Sequence, residues 1–454
     1  MITSTVKFSQ IEDRIDAIFY RPDFLEAGKL LESNKYTFSI GDIAIKVKDG
    51  PGGWNVSKED YTCSINGVPF LGASDIKEGF INLNDVTRIY REKHKELKAS
   101  ALQPRDVLLS VRGTPGFSAV VPEDLKDCNI SAALVLIRLK SNINPVYVSF
   151  FLSSKYGVNQ TYRLSCKTVQ PDINLTEVRS IKIPIPPQSF QQKIEKMVKE
   201  AQEGQSLADE KYKEAERILN KELGLEKLGL STQKTFETRF SEINERIDPE
   251  YYQLIFNEIE KVFKKQKNVN LGDISLKIKY GTSEDLFYVE KGTPFLRVTD
   301  INKFSNIEPE EGKFINNFDA GRLKEYQVET DDIIISRTGT LGLAVYIHEK
   351  LDGAVYGSYF IKVKPRHKDL YNRFIAFFIS SEIGRLQTNR RASGGIQTNL
   401  TIDAIKSIRI PILSRPIQQR ICSLIQDSLR LRKETENLLN EAKQKVEKMV
   451  VLGE

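Results

Sequence analysis

One unit of about 227 residues is written twice in this chain, and that repetition constrains the fold more than any other feature. Arg14-Ile15-Asp16 with Tyr20 recurs as Arg246-Ile247-Asp248 with Tyr252. Gly41-Asp42-Ile43 recurs as Gly272-Asp273-Ile274, and Gly67-Val-Pro-Phe-Leu71 as Gly292-Thr-Pro-Phe-Leu296. Asp106-Val-Leu-Leu-Ser110 is answered by Asp332-Ile-Ile-Ile-Ser336, and Gln191-Gln192-Lys193-Ile194 by Gln418-Gln419-Arg420-Ile421. The offset drifts between 225 and 232 in the first part of the unit and settles at 227, half of 454, in the last. Unrelated domains that merely share a composition do not keep so many blocks in order.

Each unit starts with a globular part and ends in a long helix. Val107-Leu108-Leu109, Leu134-Val135-Leu136-Ile137 and Ile333-Ile334-Ile335 are short aliphatic runs bounded by turn residues, the pattern of buried strands. Val146 to Leu152 and Phe374 to Ile379, each followed by Ser-Ser, read as helices. The expected fold is therefore α/β, of the mixed α+β kind, with globular parts at 1–185 and 231–412 and helical spacers at 186–230 and 413–454. In the first spacer Ile194, Ala201, Ala208 and Ala215 fall seven apart, beside a row of Met197, Gly204 and Ile218. In the second, Ile421, Ser428, Thr435, Ala442 and Met449 run beside Leu424, Leu431 and Leu438. One heptad row is small and the other bulky. Such stripes must be buried, and each helix offers the other a partner. Chain order predicts an antiparallel coiled coil with pseudo-two-fold symmetry. A helix of about 35 residues is roughly 50 Å long at about 1.5 Å per residue. That is at most about 15 base pairs of DNA, although a spacer between two heads of any specificity has the same geometry.

Catalytic and metal chemistry leave no trace. There is no phosphate-binding glycine loop, no Asn-Pro-Pro-aromatic run, and no Glu-x-Lys to complete a nuclease set with Pro171-Asp172. Cys63, Cys128, Cys166 and Cys422 form no C-x-x-C pair, and His94, His348 and His367 have no metal-ligand spacing, so no metal is expected. Scattered thiols fit a reducing, cytoplasmic setting. No signal peptide is recognised at the start, and no stretch nears 18 apolar residues, so no membrane partner is expected. The net charge of +6 leans mildly toward polyanions.

Repeated polar loops carry the candidate contacts. Ser110, Arg112 and Thr114, set among Gly113 and Gly116, follow a buried strand, as do Ser336, Arg337, Thr338 and Thr340 among Gly339 and Gly342. Hydroxyls, an arginine and glycines at a strand end let the backbone approach a phosphate or base edge, and an arginine there can fork onto guanine. Taken singly, each loop is equally a glycine-bearing hairpin turn. A second loop holds Arg163, Lys167, Thr168 and Gln170 in one copy and Arg390, Arg391, Ser393 and Gln397 in the other, groups that bond phosphates and adenine edges. Lys46 and Lys48, and likewise Lys277 and Lys279, share a strand face by the period of two and suit a phosphate backbone or plain solvent.

Taken together, these features resemble the specificity subunit of type I restriction–modification enzymes. The most specific marks are the run from Ile183 to Ile194, its counterpart from Ile410 to Ile421, and Gly394-Gly-Ile-Gln-Thr-Asn-Leu400. The resemblance covers essentially the whole chain. It implies two target recognition domains, each reading half of a split double-stranded DNA sequence, with the helices as ruler and as dock for two methyltransferase subunits. Those subunits would bind S-adenosylmethionine, restriction and translocase subunits would join, and the chain itself would hold no cofactor and catalyse nothing. The first copy lacks the Gly-Gly of the second and has Cys166-Lys167-Thr168 there, so the half-sites are expected to differ and the target to be asymmetric. A non-catalytic coiled-coil adaptor, or the specificity part of a methyltransferase–nuclease complex of another type, are the alternatives.

Overall fold

In the computed structural model, the described residues are 14–165, 171–225, 248–392 and 398–452, apart from 54, 78, 84, 85, 303, 310 and 311; single positions at 6, 11, 236, 237 and 243 are also described. The chain divides into two compact units, one formed by residues 1–206 with 432–454 and the other by residues 207–431. Each unit thus takes a globular part plus a portion of both long helices. Among the described residues no helix is long and apolar enough to cross a membrane.

In the first unit, Leu134–Leu139 is the centre of an antiparallel sheet. It lies between Ala44–Asp49 and Val107–Ser110, and Ser118–Val120 completes the order beyond Val107–Ser110. The two central strands are buried on both faces, which is why they read as unbroken aliphatic runs rather than alternating ones. A second sheet runs Asn129–Ile130, Val68–Leu71, Arg88–Ile89, Tyr61–Thr62. The helix Pro145–Leu152 starts at Asn144, whose side chain accepts from the Val146 and Tyr147 amides, with proline in the first turn where its missing N–H costs nothing. Its apolar residues are buried almost all round. Lys155–Ser165 is the next helix, and Lys182–Pro184 closes the unit by pairing antiparallel with Thr37–Ser39.

The second unit repeats these three sheets, and the small hairpin of Ile76–Lys77 with Phe80–Ile81 in the first unit has no counterpart among its described residues. Its main sheet runs Ser275–Tyr280, Phe360–Pro365, Ile333–Ser336, Ala344–Tyr346, and the smaller one Val355–Tyr356, Thr293–Leu296, Lys313–Ile315, Tyr288–Val289. Asn268–Asn270 pairs with Arg409–Pro411, and helices Asn372–Ser380 and Glu382–Arg391 answer the two of the first unit. The expected mixed fold, with the strands and helices read from the aliphatic runs, is what the chain adopts.

The long helices are Gln188–Glu222 and Arg415–Leu452. Within the first unit Gly204 lies against Thr435, so close that a Cβ there would stand 2.7 Å from the threonine hydroxyl. Within the second, the Ser428 hydroxyl donates to the Ala208 carbonyl at 2.7 Å, Lys211 pairs with Asp427 at 3.5 Å, and Arg420 bonds Glu214 at 2.6 Å. One number rises as the other falls, so in each unit the helices are antiparallel. The seam is the small-residue row. Ile194, Ala201, Ala208, Ala215, Ile421, Ser428 and Ala442 are fully buried, whereas Leu424, Leu431 and Leu438 are only half-buried. Small side chains let the backbones come near enough for a hydroxyl to reach a carbonyl across the pair, and the leucines then flank the contact.

A repeated glutamine fixes each helix to its globular part. Buried Gln191 accepts from the Asn144 amide at 3.0 Å and donates to the Pro186 carbonyl at 2.8 Å. Gln418 accepts from the Tyr371 amide at 3.0 Å and donates to the Asp369 and Leu413 carbonyls, both at 2.8 Å. Gln191→Ala leaves a buried amide and a buried carbonyl without partners, and is expected to cost about 1–3 kcal/mol. A urea midpoint unchanged from the parent chain would contradict that role.

Candidate nucleic-acid interface

In each unit the residues that follow the second loop meet the hairpin at the end of a central strand. In the first unit the Ile173 amide donates to the Val111 carbonyl at 3.1 Å, and Arg112 Nε donates to Asp172 at 3.0 Å. In the second, the Leu400 amide donates to the Arg337 carbonyl at 3.0 Å. The hairpin glycines seat the turn against a helix of the same unit. Gly116, at φ +107°, presses on buried Thr161, where a Cβ would stand 2.8 Å from its hydroxyl; Gly342, at φ +74°, presses on Thr388 more closely still. Gly342→Ala combines a left-handed backbone with that clash. Its expected cost is about 2 kcal/mol or more, read as a fall in melting temperature; a neutral outcome would show that Thr388 is free to move away.

Of the expected contacts, Ser110 and Ser336 belong to the turn itself. Ser110 Oγ donates to the Thr114 carbonyl at 2.7 Å and accepts from the Phe117 amide at 2.9 Å, and Ser336 does the same with Thr340 and Leu343. Both are fully buried, so they shape the loop and do not face outward. Thr114 and Thr340 are exposed beside Gly113 and Gly339, whose positive φ turns the chain, and Thr338 is half-buried. Arg112 is about half exposed.

Arg163, Arg390 and Arg391 are engaged within their own unit. Arg163 Nε donates to the Phe19 carbonyl at 3.0 Å, with its guanidinium 3.9 Å over the Phe19 ring. Arg390 repeats the arrangement on the Tyr251 carbonyl and ring and also pairs with Glu260 at 3.3 Å. Arg391 bonds the Ser407 hydroxyl at 2.6 Å and the Gln387 carbonyl at 3.1 Å, and burial pulls its pKa below the usual value. In Arg163 and Arg390 a guanidinium stacked on a ring and bonded to backbone holds the segment entering the unit, while Arg391 ties its own helix to Ser407. Lys167, Thr168, Gln170, Ser393 and Gln397 lie outside the described residues.

The lysines differ within each pair. Lys48 bonds Asp49 at 2.9 Å, and Lys279 pairs with Glu325 and lies 4.3 Å over the Tyr326 ring. Lys46, half-buried, and Lys277, exposed, are in no ion pair among the described residues and remain the better candidates for phosphate contacts.

A further repeat is easy to miss in the sequence: Gln160-Thr161-Tyr162-Arg163 and Gln387-Thr388-Asn389-Arg390, again 227 apart. Each shared residue has one task. Gln160 bonds both backbone groups of Lys182, and Gln387 both of Arg409, tying helix to last strand. The threonine seats the hairpin glycine, and the arginine clamps the entering segment. The offset alone marks these residues, but nothing in their types says that they position loops.

Comparison with known proteins places this architecture. The profile of the type I restriction modification DNA specificity domain matches twice, over residues 32–217 and 263–444. The chain is 24% identical over 138 residues to the type I restriction enzyme EcoBI specificity subunit of Escherichia coli, a match spanning 30% of the chain and 28% of that relative. It is 25% identical over 328 residues, 70% of each, to a putative type I restriction enzyme MjaX specificity subunit of Methanocaldococcus jannaschii. The crystal structure of a type I restriction-modification S subunit from M. genitalium superposes with a TM-score of 0.51 at 13% identity, over 91% of this chain and 94% of that one. With the specificity domain present twice and covering most of its length, the chain belongs to the family of type I restriction–modification specificity subunits, with two target recognition domains.

Proposed function

We propose that this chain reads a bipartite, asymmetric double-stranded DNA target, one half-site per unit, with the gap set by the paired helices. The observation that carries this reading is a contrast within the repeat. Residues that build the loops recur in both units: the hairpin serine, both glycines, and Gln-Thr-x-Arg. Residues that the loops present differ, as with Arg112 and Thr338, which occupy the same place in the turn. Two equal scaffolds bearing unequal surfaces suit a reader of two unequal sequences. The chain acts without catalysis or cofactor of its own, in the cytoplasm. It docks two methyltransferase subunits, which bring S-adenosylmethionine, and restriction and translocase subunits complete the assembly.

A binding selection tests the proposal. The full chain with its methyltransferase partner is incubated with random-sequence duplexes, and retained molecules are sequenced. Two short, different blocks at fixed separation are expected. A single contiguous block, or no enrichment, contradicts the reading.

A further inference from the structure

Superposing the hydrogen-bond pattern of one hairpin on the other shows that Arg112 and Arg337 are not counterparts. The Val111 amide donates to the Ala133 carbonyl at 2.9 Å; at the same place the Arg337 amide donates to the Tyr359 carbonyl at 2.9 Å. The strand registers, Leu134 opposite Ser110 and Phe360 opposite Ser336, fix the same alignment. Four neighbouring positions at this sheet edge are thus Asp49, Val111, Ala132 and Ala133 in the first unit and Tyr280, Arg337, Ser358 and Tyr359 in the second.

In the second unit these residues form a cluster. The Arg337 guanidinium lies 4.7 Å over the Tyr280 ring. Its Nη1 reaches the Ser358 carbonyl only at 3.5 Å, and its buried Nε has no hydrogen-bond partner among the described residues. Tyr280 is itself fixed, since its hydroxyl accepts from the Ile402 amide at 3.2 Å. Tyr359 beside it is 60% exposed. The enclosed Nε faces inward, so the terminal Nη edge of this stacked planar cation, engaged only by the long bond to Ser358, is what suits a ligand that accepts two bonds in one plane. Guanine presents such a pair, O6 and N7, in the major groove.

We infer that Arg337, held by Tyr280 and Ser358, and the exposed Tyr359 beside it form a base-reading pair of the second unit, with Arg337 selecting one G·C pair and the Tyr359 ring packing on its neighbour. The first unit, with Val111 and Ala133 there, has no such contact at this place and presents Arg112 from the next position instead. This inference rests on the proposed reading of DNA by each unit.

The test uses the full chain with its methyltransferase partner and duplexes carrying the selected target with each position changed in turn. Arg337→Lys keeps the cation and loses the fork. It is expected to lower the preference for one G·C pair in one half-site by about tenfold to a hundredfold, leaving the other half-site as before. Tyr359→Ala, at an exposed ring, is expected to relax the adjacent position by a smaller factor. Unchanged preferences in both variants overturn the inference, and so does an equal loss on every duplex, which marks a phosphate contact. A parent complex with no positional preference overturns the DNA reading itself, and is told apart because it needs no variant.

Discussion

Asp106→Ala will unfold the first unit at markedly lower denaturant concentration, with an expected loss of about 3 kcal/mol. Asp106 is 1% exposed and sits just before a central strand. Arg138, on the neighbouring strand, donates to both of its carboxylate oxygens at 2.8 Å, and the Gln103 amide adds a third bond at 2.7 Å. The carboxylate also holds the Arg138 pKa above its usual value. Alanine leaves a largely buried guanidinium and an amide without partners. The estimate sits at the low end of the range for breaking a buried pair because the Arg138 side chain keeps 21% of its exposure and can partly rehydrate. The second unit is a control. Its Asp332 is also buried, but one carboxylate oxygen has no partner and Lys362 approaches only to 3.4 Å, while burial pushes the carboxyl pKa up. Asp332→Ala, after which Lys362 keeps its bond to the Gln327 carbonyl at 2.6 Å, is therefore expected to cost clearly less. Urea unfolding of the full chain, with hydrogen exchange followed at Leu134–Leu139 and Phe360–Pro365, separates the two. Equal losses would mean that the paired geometry of Asp106 adds nothing.

A matched deletion of one heptad from each long helix is expected to have the largest effect on recognition. Removing 202–208 together with 429–435 takes out segments that face each other, as the Gly204–Thr435 contact within them and the Ala208 bond to Ser428, one residue before the second, require. Seven residues return the helix to nearly the same face, so the small-residue seam continues across the join. They also shorten each helix by about 10 Å, or about three base pairs of duplex. On the proposed ruler, the shortened chain selects the same two half-sites about three base pairs closer, and binds the original target at least a hundredfold more weakly. An unchanged gap in the selected sequences would remove the ruler.

Much of the fold was legible because the chain carries its own comparison. Two copies of Asp-aliphatic-aliphatic-aliphatic-Ser at one offset mark a buried strand, and the structure has it in both units. The heptads of Ile194, Ala201, Ala208 and Ala215 gave the long helices, yet not which row forms the seam. Bulk suggests the leucines. The decisive quantity is how near two backbones can come, and that depends on both helices at once. The loops were the hardest part. Arg163, Arg390 and Arg391 look like phosphate contacts by type, but a ring and a carbonyl from a distant segment engage the first two, and the Ser407 hydroxyl and the Gln387 carbonyl engage the third. Arg112 and Arg337 look like counterparts because each hairpin has one arginine, but the shared serine and glycines already set them one place apart, and the backbone hydrogen bonds agree. Residue type identifies what a side chain is able to bond; the partner it has is a property of the folded unit.

Mapping methylated bases in cells that carry the complete system tests the two-reader claim most directly. Two different half-sites, separated by one fixed gap, are the predicted result. Methylation at a simple palindrome, or at a single uninterrupted sequence, would contradict it.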